Sequence, residues 1–180
     1  MNSRNNSKKS TQAVARLIAQ SGGPVDYLRL SKLIYLADRK SIISRGIPIV
    51  GGTYFYMPKG PTISEFMDLV KLRNAPGWTE TISPRFGNEI RLHGQPKFEV
   101  LSQSELSILD LVVAQHAQRT TEELVQWCHE NCPEYEQVGA KERKPIKVES
   151  IMRAARKSER AIQKVIEEAH EIEELNALLS

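Results

Sequence analysis

Cysteine is scarce in this chain, with two residues, Cys128 and Cys132, among 180. Two thiols cannot form the disulfide framework of a small secreted domain, and they fit a reducing compartment. Long apolar runs are missing too. No stretch approaches the roughly 18 residues that a membrane span needs, and the amino terminus lacks the apolar core of a secretory leader. A soluble, cytoplasmic protein is expected. Aromatics make up only 6% of the chain, so a core has to rely on Leu, Ile, Val and Ala. Neither sign of charge dominates, since 25 Lys and Arg stand against 22 Asp and Glu. That balance does not call for a nucleic-acid partner.

The signatures of catalysis and cofactor binding are absent as well. Gly22-Gly23 and Gly51-Gly52 lack the spacing and the strand-to-helix setting of a phosphate loop. Cys128-His129-x-x-Cys132, with His116 upstream, is the one metal-like cluster. His129 points about 100° away from Cys128 on a helix, and a second cysteine pair is missing. Two buried thiols at a helix end are the better reading than zinc. Neither cysteine sits in a nucleophile elbow, and Glu122-Glu123 and Glu167-Glu168 read as solvated helix faces. No catalytic, cofactor-binding or metal-binding residue is assigned, and no enzyme activity or cofactor is expected.

What is present is mostly helical. Residues 1–10 (MNSRNNSKKS) read as a disordered basic arm with Arg4, Lys8 and Lys9. Helical spacing starts at Thr11 and breaks at Ser21-Gly22-Gly23-Pro24. A second helix is expected from about Tyr27 to Ser44, ended by Gly46 and Pro48. Thr53–Tyr56 reads as a short strand leading into a Pro-Lys-Gly-Pro turn. Thr62-Ile63-Ser64-Glu65 reads as a capping box opening a third helix that buries Ile63, Phe66, Met67 and Val70. Strand character is expected for Trp78–Ile82, Glu89–His93 and Lys97–Leu101, the last two forming a hairpin around Gly94-Gln95-Pro96. Capping boxes at Ser102…Glu105 and Thr120…Glu123 predict helices over about 103–118 and 121–131. Gly139–Pro145 reads as a charged loop, and one long helix is expected from Val148 to Leu179. The fold class is therefore mainly α with a small antiparallel β-sheet inserted (α+β) and a long C-terminal helix.

Two segments are candidates for contact with a partner. Lys141, Arg143, Lys144, Lys147, Arg153, Arg156, Lys157 and Arg160 form a basic stretch before and within the last helix. A solvated face explains it, and so does an acidic partner surface; no aromatics are interleaved there to stack bases. The last helix carries a heptad-compatible stripe of Ile151, Ala155, Ser158, Ile162, Val165, Ala169, Ile172, Asn176 and Leu179, widened by Ile166, Leu175 and Leu178. Its acids, Glu167, Glu168, Glu171, Glu173 and Glu174, crowd the end where they oppose the macrodipole. Either the stripe packs on its own domain, or its distal half meets a partner or a second copy of the chain.

Leu30-Ser31-Lys32-Leu33-Ile34-Tyr35-Leu36-Ala37-Asp38 resembles the second-helix signature of Panacea (SocA-like antitoxin) domains. Gly52-Thr53-Tyr54-Phe55-Tyr56-Met57-Pro58-Lys59-Gly60-Pro61 is similar to that family's strand and Gly-Pro turn. Met57-Pro58-Lys59 stands where many members carry an aromatic. Leu101-Ser102…Glu105…Leu109-Asp110…Val113…His116 and Thr121…Leu124…His129 resemble its later helices, so the likeness spans about residues 12–155. It implies a domain within residues 11–150, followed by the C-terminal helix of 151–180. It further implies an antitoxin that neutralises a cognate toxin, encoded beside it in bacteria or phage, by direct protein–protein binding. The family's alternative is an adaptor that delivers the toxin to a protease. Many members also carry a helix-turn-helix segment; residues before Thr11 show no obvious room for one, so transcriptional autoregulation is not expected from the resemblance. Contact candidates on this reading are Tyr54, Tyr56, Met57 and Lys59 on the strand and turn. On the last helix they are Arg153, Arg156, Ile162, Val165 and Ile172. With Tyr54 and Tyr56 on one strand face, Phe55 is expected in the core, although the tyrosines would serve equally to cover the sheet. A homodimer through the C-terminal helix is the other association considered.

Overall fold

A computed structural model describes residues 3–178 of the chain. The side chains of Arg4, Glu173 and Asn176, and all of Leu179, lie outside the described residues. The element order is α1 (Ser3–Gln20), β1 (Val25–Asp26), α2 (Tyr27–Arg45), β2 (Tyr54–Tyr56), β3 (Thr62–Ile63), α3 (Ser64–Leu72), α4 (Trp78–Thr81) and β4 (Glu89–Ile90). It continues with α5 (Gln103–His116), α6 (Thr121–Asn131), β5 (Lys144–Ile146), α7 (Val148–Ala154) and α8 (Glu159–Leu178). The molecule is mainly helical with a small antiparallel sheet in the order β3-β2-β5, while β1 and β4 form a separate pair.

Helix α2 is the centre, with α1, α3, α5, α6, α7 and β3 packed around it. The Asp26 carboxylate caps it by accepting from the Leu28 and Arg29 N–H groups, and Gly46 ends it in the left-handed conformation. Residues Leu30 through Asp38 are buried without interruption, so this helix has no solvent face along two and a half turns. A helix surrounded in this way is normally apolar throughout, yet Ser31, Lys32, Tyr35, Asp38 and Ser41 are polar. Each has a specific partner. Ser31 donates to the Leu28 carbonyl, Lys32 to the Pro61 carbonyl, Tyr35 to Glu134 and Ser41 to the Ile47 carbonyl. Asp38 is fully buried and accepts from the N–H groups of Ile49, Val50 and Gly51 at 2.8–2.9 Å and from the Tyr54 hydroxyl at 3.0 Å. Burial pushes its carboxyl pKa up, and the backbone and phenol bonds pull against that push.

The capping boxes of α5 and α6 form as the sequence predicts, with Ser102 and Thr120 each exchanging bonds with the Glu three residues on. Other expectations are corrected. Residues 3–10 continue α1 rather than forming an arm, because Lys9 reaches Glu105 at 2.6 Å and Ser10 is buried. The capping box at Thr62 does not form, since Thr62 pairs with Phe55 in the sheet. Glu65 instead bonds the Thr53 N–H and the Ser64 hydroxyl. Its carboxylate fills the space where a Cβ on Gly52 would stand. Of the residues expected under α3, Ile63 and Phe66 are buried, while Met67 and Val70 are half-buried.

Trp78–Thr81 is a helical turn, and the hairpin over Glu89–Leu101 is replaced by pairing of Glu89–Ile90 with β1 and a bridge from Ile82 to Leu92. Trp78 and Ile82, four residues apart, are each 1% exposed while Thr79 and Glu80 face solvent, a burial spacing that one turn of helix satisfies. Lys144–Ile146, expected within or beside a loop, is the third strand of the sheet. Its Pro145 is tolerated because this strand is an edge. Lastly, the helix expected from Val148 to Leu179 is broken. Arg156 takes the left-handed conformation and the Lys157 N–H closes α7 onto the Met152 carbonyl. Ser158 then caps α8, and Arg153 pairs with Glu159 through two bonds across the break.

Replacing Asp38 with Ala leaves three buried N–H groups unpaired and should cost about 3–5 kcal/mol in unfolding free energy. Tyr54→Phe, which removes one donor of four, should cost about 1 kcal/mol. Urea unfolding of both variants checks this, and equal losses would show that the carboxylate is not the centre of the network.

Candidate partner-binding site

Two places gather functional side chains, one inside the molecule and one on its surface. The inner one lies where α2 faces the Gly60-Pro61 turn and α6. Lys32, 1% exposed, donates to the Pro61 carbonyl at 2.7 Å. Burial lowers its pKa to about 8. Gly60 has a φ of 91°, and a Cβ there would approach both the His129 ring and the Lys32 side chain at 3.3–3.4 Å. The glycine is therefore required both by conformation and by close approach. His129 stacks on Tyr135 at 4.7 Å, and the Tyr135 hydroxyl donates to the Met57 carbonyl. Glu134, buried, accepts from Tyr35 and from Arg39 at 2.6–2.7 Å. Cys128 and Cys132 are fully buried free thiols beside this cluster. Their mutual hydrogen bond lowers Cys128 and raises Cys132. Among the described residues no group of three or more His, Cys, Asp or Glu is placed to hold a metal. The cluster clamps the turn onto α2.

The outer place is a groove of about 520 Å³ between α2 and α5, closed at one side by α6. Leu36 and Ile43 of α2, Val112 of α5 and Trp127 of α6 supply apolar surface. Arg39, Lys40 and Arg119 bring positive charge, of which Arg39 is already paired with Glu134. Lys40 and Arg119 have no acidic partner among the described residues. Arg119 lies over the Trp127 ring at 5.6 Å, a cation–π arrangement. Arg29 fixes the corner after α5 by donating to the His116 and Arg119 carbonyls at 2.6–2.7 Å, where a cation also suits the helix dipole. His116, edge-on to Trp127 at 4.6 Å, is held neutral. Burial first, then the charges of Arg119 and Arg29, lower its pKa to about 4. The groove thus combines an aromatic anchor, an apolar floor and two cations without an acidic partner, although Arg119 donates to the Gln115 carbonyl at 2.8 Å. Aromatic and Arg side chains are the residue types that dominate binding energy at protein interfaces.

The residues read from the sequence as contacts fall in different places. Tyr54 and Tyr56 point inward, 2% and 8% exposed, and Phe55 lies outside, half-buried under Arg143 at 4.2 Å. The expected orientation of that strand is therefore inverted. The buried carboxylate of Asp38 needs the Tyr54 hydroxyl, and this sets which face turns in. Ile162 is buried at 1%, and Val165 is half-buried against Gly46. Met57 is half-buried, Lys59 is exposed on the turn, Arg153 and Arg156 are exposed at the α7–α8 break, and Ile172 is 49% exposed on distal α8. The structure does not bring these together into one patch. Lys40, Arg119 and Trp127 were missed because they come from three segments with no shared local pattern. None of the three is singled out by the sequence.

A pH dependence follows from His116. Its unfolded pKa is the ordinary value near 6.5 and its folded pKa is about 4. As pH falls from 6.5 toward 4 the unfolded chain takes up a proton that the folded chain refuses, so stability drops across that window. In His116→Gln the corresponding part of the acid slope should vanish, as read by urea midpoints at a series of pH values.

No helix among the described residues is long and apolar enough to cross a membrane. Neither the curated proteins nor the solved structures include a match to this chain. The family model described as "Antitoxin SocA-like, Panacea domain" matches residues 30–136. That stretch begins at the buried run of α2, includes the clamped Gly60-Pro61 turn, and ends just after the Glu134–Tyr135 contacts. All nine groove residues lie inside it. With more than half its length matched and its central helix, turn and groove built from that length, this chain belongs to the SocA-like antitoxin family, of the Panacea domain type.

Proposed function

We propose that this protein is the antitoxin of a bacterial or phage toxin–antitoxin pair and neutralises its toxin by binding it directly in the cytoplasm. The observation that carries the reading is that the α2–α5–α6 groove is composed wholly of residues within the antitoxin-family match. The toxin surface it suits presents an acidic and apolar segment, because the uncompensated charges are Lys40 and Arg119 and the anchor is Trp127. Neutralisation on this account is steric. The toxin's working face is held in a complex, and no bond is made or broken. Among the residues singled out from the sequence, Met57, Lys59, Arg153, Arg156 and Ile172 remain reachable by a partner, and they define the rival surfaces.

The test is co-expression with the product of the adjacent gene, followed by growth assay and pull-down. The neighbour alone should arrest growth, and a stable complex should restore it. Lys40→Glu combined with Gln115→Glu should weaken the complex by about tenfold or more, equivalent to about 1.4 kcal/mol. Full binding in that variant, with loss on substituting Lys59 or Arg153 and Arg156, would move the contact to those surfaces. A harmless neighbour and no complex would overturn the antitoxin reading. Delivery to a protease differs in one readout, namely that toxin would disappear from cells only when the protease is present.

A further inference from the structure

Helix α8 leaves the body of the protein halfway along its length. Ile162 is buried and Val165 and Ile166 pack against the core, but every described side chain from Glu167 to Leu178 is exposed. Twelve residues at ~1.5 Å each carry the helix roughly 18 Å beyond its last anchorage. This projecting half is acidic and apolar together. Ile172 and Leu175 sit one turn apart at 49% and 58% exposure, Leu178 follows at 82%, and Glu167, Glu168, Glu171 and Glu174 surround them. A solvated helix needs no such apolar residues, and an exposed row of them marks an interaction surface.

The groove between α2, α5 and α6 has the opposite charge. Its apolar floor spans two turns of α2, from Leu36 to Ile43, and Lys40 and Arg119 stand in it without acidic partners among the described residues. Glu123 and Glu130 line an adjoining hollow that shares Arg119 and Trp127 with the groove. The groove's own lining carries Arg39, Lys40 and Arg119 and no acid. The same chain cannot easily fill its own groove, because α8 is already pinned at the C-terminal end of α2 through Val165 against Gly46.

We infer that the distal half of α8 in one copy of the chain seats in the α2–α5–α6 groove of a second copy, and reciprocally, giving a two-fold symmetric dimer. Ile172 and Leu175 enter the apolar floor as a helix-in-groove contact. The flanking glutamates meet Lys40 and Arg119, and symmetry makes the contact twice. The inference rests on the shape and charge of the two surfaces and not on the toxin. If the groove also takes the toxin, the dimer is the form in which the antitoxin stores its binding site covered.

The experiment is analytical ultracentrifugation of the full-length protein over a wide concentration range, with no toxin present. The native chain should dimerise, and added salt should weaken the dimer. Ile172→Asp with Leu175→Asp on the helix, and separately Lys40→Glu with Gln115→Glu in the groove, should each raise the dimer dissociation constant about tenfold or more. All four positions are exposed or half-buried, and unchanged far-UV circular dichroism confirms that each variant folds. In a mixture of the two variants one of the two symmetric contacts is native and the other carries all four changes, so the mixed dimer should be no tighter than either variant's own dimer. A native chain that stays monomeric overturns the inference. So does a groove variant that dimerises as well as the native chain, which would indicate helix against helix.

Discussion

A fully buried carboxylate constrains the middle of this protein. Asp38 sits on the one helix that every neighbouring element touches, and its four bonds come from a single downstream stretch, Ile49 to Tyr54. A charge so deeply buried is costly unless fully partnered, so the 47–54 segment has little freedom. Its N–H groups must converge on one point, and the Tyr54 hydroxyl must turn inward. With Tyr54 fixed, the register of β2 against Ile63 and Ile146 is fixed too. That register delivers the chain to the Gly60-Pro61 turn, where Lys32, two turns earlier on the same helix, holds the Pro61 carbonyl. One helix thus grips the following strand at one end with an anion and the turn beyond it with a cation. Replacing such groups with apolar ones would often be tolerable energetically. Their contribution here is to specify a single path for residues 47–61.

Local signals in the sequence were legible where the physics is local. Ser102 and Thr120 cap helices through bonds spanning three residues, and both boxes formed. The bounds of α2 were readable from Gly46 and the preceding helical pattern. The failures share a cause, which is competition from distant partners. Thr62 has the right residue three places on for a capping box, but the sheet claims its backbone and Thr53 claims Glu65. Tyr-Phe-Tyr has an alternation that says two residues face together without saying which way, and Asp38, 16 residues away, decides it. The amino-terminal arm is polar enough to be disordered on composition, yet Glu105 supplies a buried acid for Lys9 and also for Arg45. Burial works against that carboxylate's charge, and the bonds from Lys9 and Ser102 outweigh it, so its pKa lies below the ordinary value.

The break after α7 illustrates the same point from the other direction. Nothing in RAARKSER forbids a continuous helix, since Gly and Pro are absent from it. A left-handed Arg156 costs on the order of 1–3 kcal/mol in itself. The Lys157 N–H closing onto Met152, the Ser158 cap and the Arg153–Glu159 pair all act at that point to offset it. Ser158, which fits the apolar stripe by spacing, is a capping residue in the fold. The stripe is therefore two stripes. Ile151 and Met152 bury α7 and Ile162 buries the start of α8, while Ile172 and Leu175 belong to the half that leaves the body.

That division explains an otherwise unfavourable charge distribution. Glu159 opens α8 as the macrodipole favours, but Arg160 and Lys164 follow it near the start, and Glu167, Glu168, Glu171 and Glu174 lie toward the end, where the macrodipole favours cations. Each misplaced charge within the terminal turn costs roughly 0.3–1 kcal/mol, and i,i+4 pairs such as Lys164–Glu168 return only about 0.3–0.5 kcal/mol. A free helical end composed this way is weakly held by its own residues. Its helicity is best supported by something outside the helix that supplies both apolar cover and positive charge. The α2–α5–α6 groove offers both, with Trp127 and Ile43 for the apolar face and Lys40 and Arg119 for the acids. An acidic tail selected for meeting a cationic surface would look this way, and a tail selected only for stability as an isolated helix would carry its charges the other way round.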